Sequence, residues 1–104
     1  MKDKLTFNDA KKMYFKTIGQ YIPVVSRVHG GKHPEFHEVR ELFDIIGKKA
    51  REAGQKKPDL DREFARLREI TSNYMVPGDV CESYEAVYKM LAEIDEAYRA
   101  SEQA

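Results

Sequence analysis

The chain has 104 residues, enough for one domain around a single core. Its 18 lysines and arginines balance 18 aspartates and glutamates, so the formal net charge is zero, whereas a nucleic-acid binder normally carries a basic excess. Charged residues make up 35% of it, mean hydropathy is −0.68, and the longest uncharged run, residues 17–26, is too short to span a bilayer.

The charge-rich start leads into no apolar signal region, and Cys81 is the only cysteine, which rules out an intrachain disulfide. A reducing, cytoplasmic setting is therefore expected. Thr6 reads as a helix N-cap, with Asp9 placed to reach back to it. Apolar residues then recur at helical spacing: Phe7, Ala10, Tyr14, Ile18, Tyr21, Val25 and Val28. Met13, Phe15, Ile22 and Val24 flank this stripe and widen the apolar face to about 200°, roughly twice the usual width. Such a helix is either the central element of its bundle or also meets a second subunit. Met13, Phe15 and Ile22 are the candidate interface for a homodimer or a helical partner. Pro23 lies inside the helix and predicts a kink near Gly19–Pro23.

His29-Gly30-Gly31 ends this first helix, with glycine as the expected C′ residue, and Pro34 opens the next. His33 is placed to cap it. The second stripe is Phe36, Val39, Leu42, Phe43, Ile46 and Ala50, with Gly47 expected to mark close packing and Gly54 to stop the helix. The basic residues between 48 and 57 read as a solvated helix end. Asp59 is the expected cap of a third helix with Leu60, Phe64, Leu67, Ile70 and Tyr74 on its apolar face. After the break at residues 75–78, Asp79 and Glu82 form an Asp-x-x-Glu capping box for a fourth. Its stripe is Val80, Tyr84, Val87, Leu91, Ile94 and Tyr98, with Glu85–Lys89 and Asp95–Arg99 as ion pairs on the outside. Helices are thus expected at about 6–29, 34–53, 59–75 and 79–100. Short links between them predict an all-α, antiparallel up-down-up-down four-helix bundle.

The three histidines, His29, His33 and His37, are spaced i, i+4, i+8 and are the candidate metal ligands. The glycines and Pro34 break the helix between His29 and His33, so the spacing does not align them on one face. His33 and His37 would share a helix N-terminus, whose partial positive charge opposes a cation. No Glu-x-x-His occurs, which excludes a ferritin-like di-metal site within one chain. Cys81 falls in the first turn of the fourth helix and reads as a small buried residue. Ser26 lies one turn before His29 with no carboxylate near it to orient the imidazole, and no Gly-x-Ser-x-Gly or phosphate-cradling loop appears. Asp44 and Glu69 are the carboxylates beside core stripes. An enzyme is not expected.

Val28-His29-Gly30, then His33-Pro34-Glu35-Phe36 and Val39-Arg40-Glu41-Leu42-Phe43, resembles the first connection of hemerythrin-like domains. The nearest kind is the di-iron type associated with iron–sulfur cluster repair. Leu67-Arg68-Glu69-Ile70-Thr71, Asn73-Tyr74, Pro77, Asp79 and Cys81 resemble the turn into that family's fourth helix, and Tyr84, Val87-Tyr88 and Leu91-Ala92-Glu93 continue it. The likeness spans roughly residues 7–98. It implies a hemerythrin-like fold, in which five histidines and two carboxylates hold two irons. Only His29 matches such a ligand. Asn8 and Tyr14 stand near the first-helix position, and Gly47-Lys48-Lys49-Ala50-Arg51-Glu52-Ala53 occupies the second. Residues 57–61 and Ala100-Ser101-Glu102 lack the others. The expectation is a small interaction or regulatory module with no complete di-iron site and no cofactor. The alternative is an iron or zinc protein using His29, His33 and His37.

Overall fold

The structure, a computed structural model, describes residues 5–102. Its four helices are α1 (Phe7–His29), α2 (Glu35–Ala53), α3 (Asp61–Ile70) and α4 (Glu82–Glu102), with no strand among the described residues. None of these helices is long and apolar enough to cross a membrane.

The capping box at Thr6 forms as expected: the Asp9 amide donates to Thr6 Oγ1 at 3.0 Å and the Thr6 amide to the Asp9 carboxylate at 3.3 Å. α1 then runs unbroken through Pro23. Its first turn lies against the last turns of α4, where Phe7 meets the Tyr98 ring edge-on. Further along, the Tyr14 hydroxyl donates to Glu93 at 2.6 Å, and at its far end the His29 ring meets Tyr84. On its other side Phe15 stands edge-on to Phe43 of α2, with ring centroids 5.3 Å apart. α2 meets α3 through Lys49–Glu63 and Glu38–Arg66, and α3 meets α4 through Phe64–Tyr98 and Arg68–Asp95.

This arrangement accounts for the wide apolar face of α1, because α2 and α4 cover it from two sides. Ile22 is 3% exposed and belongs to the core with Ile18 and Val25, not to the outer face expected of it. Phe15 is half-buried between Phe7 and Phe43. Met13, at 54% exposed, is the one residue of that set turned outward, and Val24 and Val28, about three and four turns further along α1, are also exposed.

Several helix ends differ from expectation. α3 stops at Ile70, not at residue 75, because Ser72, Asn73 and Tyr74 all take left-handed φ values of 53°, 60° and 64°. Its cap position is Leu60, while the Asp59 carboxylate accepts the Asp61 amide at 3.3 Å. α4 begins at Glu82, not at residue 79, and its first helical bond runs from the Glu85 amide to the Cys81 carbonyl. The Asp79 side chain is drawn away to His33. His33 does not cap α2: Pro34 holds the cap position without a side-chain bond. Gly30 is right-handed (φ −61°) and is required for space instead, since a Cβ there would lie 2.7 Å from the His37 ring. Gly47 is buried, yet a Cβ there would meet only the end of Arg51 at 3.5 Å. Gly54 takes the left-handed φ of 63° expected of a helix stop. Asp44, Glu69 and Cys81 are exposed, which removes the core-side placement of the first two and the burial of the third.

Candidate functional site

Two of the clusters of polar side chains among the described residues are candidates for a site. The first is the end of the bundle where the α1–α2 connection faces the approach to α4. Tyr84, fully buried at the start of α4, is its centre. The His29 and His33 rings both meet the Tyr84 ring edge-on, at 5.6 and 5.5 Å between centroids. The Tyr84 and Tyr88 hydroxyls lie 3.0 Å apart, one turn from each other on α4 and beside Phe36. Burial is the main cause that pushes both phenols above their ordinary values.

His33 has both ring nitrogens engaged. Nε2 lies 3.0 Å from Asp79 Oδ1, and Nδ1 lies 3.2 Å from Glu35 Oε2. A ring with one N–H satisfies one of these carboxylates and a ring with two satisfies both. The bond to His33 holds the Asp79 carboxyl below its ordinary value. His29 Nε2 accepts the Cys81 backbone amide at 3.4 Å. His37 is exposed, its ring against Gly30. The structure therefore brings His29 and His33 to one tyrosine and leaves His37 on a separate contact.

A di-iron centre does not fit these residues. Three histidines cannot supply five, and His33 would have to surrender a carboxylate contact to offer a ring nitrogen. Among the described residues no group of three or more His, Cys, Asp or Glu side chains is arranged to hold a metal ion. No chemical step is assigned through iron.

The second gathering is around Asp95. This carboxylate is 0% exposed, whereas its i,i+4 spacing from Arg99 predicts a pair on the outside. Arg68 Nη1 donates to both its oxygens at 2.8 Å, Arg99 Nε donates to Oδ1 at 3.2 Å, and the Tyr74 hydroxyl donates to Oδ2 at 2.7 Å. Burial and the neighbouring Asp95 charge push the Tyr74 phenol up strongly. The signal was present in the sequence: position 95 falls in the 84, 87, 88, 91, 94, 98 register, where an apolar residue would complete the stripe. A buried carboxylate with this many donors is a structural node, because its charge is fully paired.

Among the described residues, two buried side-chain polar atoms have no hydrogen-bond partner, Ser26 Oγ in α1 and Glu63 Oε1 in α3, the latter on a side chain whose other oxygen binds Lys49 at 2.8 Å. Neither adjoins a nucleophile–base pair. No known family model and no solved structure matches this chain.

Proposed function

We propose that this chain is a hemerythrin-like bundle with up-down-up-down topology, acting in the cytoplasm as a protein-interaction or regulatory module without a complete di-iron site. One observation carries the reading: the polar side chains at the histidine end and around Asp95 are engaged chiefly with one another. That pattern suits a scaffold better than a reaction centre. Contacts between helices support the topology: α2 with α3, α3 with α4, and α1 with α4 each meet start against end. The outward-facing Met13, Val24 and Val28 on α1 are the surface a second copy or a helical partner would cover. Sedimentation velocity at micromolar concentration should show a dimer, or a monomer that dimerises on addition of its partner. A persistent monomer that binds no helical protein would overturn the reading.

The rival reading, an iron or zinc protein using His29, His33 and His37, has one observation in its favour. His29 and His33 converge on the same tyrosine with Asp79 beside them. Elemental analysis of untagged protein separates the two readings. Stoichiometric metal that disappears in a triple His29→Ala, His33→Ala, His37→Ala variant would replace the first reading by the second.

A further inference from the structure

Residues 71–81 join α3 to α4 and carry the most strained backbone described in the molecule. Ser72, Asn73 and Tyr74 are consecutive non-glycine residues in the left-handed region. Asparagine is at home there, but a tyrosine is not. The turn is closed locally by four amides: Ser72 to the Glu69 carbonyl, Asn73 to the Arg68 carbonyl, Tyr74 to Thr71 Oγ1 and Met75 to the Thr71 carbonyl. Its hydrogen bonds to the rest of the bundle are few. Tyr74 reaches Asp95, Asp79 reaches His33, and the Cys81 amide reaches His29. Its apolar cover is partial: Tyr74, Val76 and Val80 pack against the core while only half-buried, and Met75 is 69% exposed.

We propose that this segment is a latched strap, held shut by the Tyr74–Asp95 bond and able to open as a unit. The latch is reversible because of how Asp95 is paired. When Tyr74 leaves, Arg68 and Arg99 still hold the carboxylate, so no buried charge is stranded. The tyrosine hydroxyl passes to water, and the left-handed residues relax. Opening also carries Asp79 and Cys81 away from His33 and His29 and uncovers the Tyr84 end of the bundle. Strain held by a few polar bonds, with only half-buried apolar side chains behind it, marks a segment of low local stability.

Hydrogen exchange on the full chain tests it. In Tyr74→Phe, which removes only the hydroxyl, the amides of Ser72 to Met75 and Cys81 should exchange at least about tenfold faster, the loss expected for a hydrogen bond to a charged group. The amides of α1 and α2 should keep their rates. Unchanged strap amides, or an equal acceleration throughout the chain, would overturn the strap. Should Tyr74→Phe fail to fold, exchange of the unaltered chain in urea below its unfolding transition decides. Strap amides opening with little urea dependence support the strap, and strap amides that open only with the whole bundle refute it.

Discussion

Asp95 is the residue on which most of the buried polar structure turns. It sits where the helical spacing asks for an apolar side chain, and three donors from α3, the strap and its own helix make that position tolerable. Replacing it by alanine leaves Arg68 and the Tyr74 hydroxyl without their acceptor. Because Arg68 and Arg99 are 29% and 53% exposed, both can recover water, so the expected loss lies at the lower end for a broken buried pair. Asp95→Ala should lower unfolding stability in urea by about 3 kcal/mol. Ser26 is the opposite case. Its hydroxyl is buried and unbonded, and alanine is the better helix former. Ser26→Ala should raise stability by about 1 kcal/mol, read from the midpoint of the same titration.

At the scale of elements, the connection between α1 and α2 separates two adjacent glycines by their surroundings. A Cβ on Gly30 would collide with the Ser26 carbonyl and the His37 ring, while a Cβ on Gly31 would meet nothing within 4 Å. Neither glycine takes a positive φ, so conformation does not distinguish them. Gly30→Ala should cost about 1–3 kcal/mol through overpacking. Gly31→Ala should be neutral or stabilise by up to about 1 kcal/mol, because alanine narrows the unfolded ensemble. Thermal unfolding of the pair checks both directions. The connection between α3 and α4 obeys a different physics. Thr71-Ser72-Asn73 is a run of turn-forming residues, but the apolar spacing of Leu67, Ile70 and Tyr74 reads as continued helix. The turn prevails because Tyr74 must come round to reach Asp95.

For the whole molecule, the buried phenols make alkaline pH the revealing variable. Tyr74, Tyr84 and Tyr88 have folded pKa values raised chiefly by burial, while the unfolded chain ionises its tyrosines near pH 10. A raised folded pKa contributes stability that is complete below the unfolded value and is lost as pH rises through the folded one. Stability should therefore hold up to about pH 10 and fall steeply above it. The phenolate absorbance of these three tyrosines should appear together with the loss of helical circular dichroism. Ionisation of all six tyrosines before any loss of helix would show that the Tyr84 end is open to solvent.

Spacing alone determined four amphipathic helices, because a 3.6-residue period of apolar side chains is a local property that each segment carries by itself. It placed the start of α1 at its capping box and both ends of α2 to within a residue. It also placed most of the core. The pairing of polar groups was not legible, since His33 with Asp79 and Arg68 with Asp95 are far apart in the chain and meet only when the helices pack. The same packing decided that Ile22 is core, that Asp79 serves His33 in place of a helix cap, and that α3 ends at Ile70. A periodic pattern fixes which face of a helix is buried. Only the neighbouring helices determine which charged side chain is buried with it, because the energy that permits it comes from partners elsewhere in the chain.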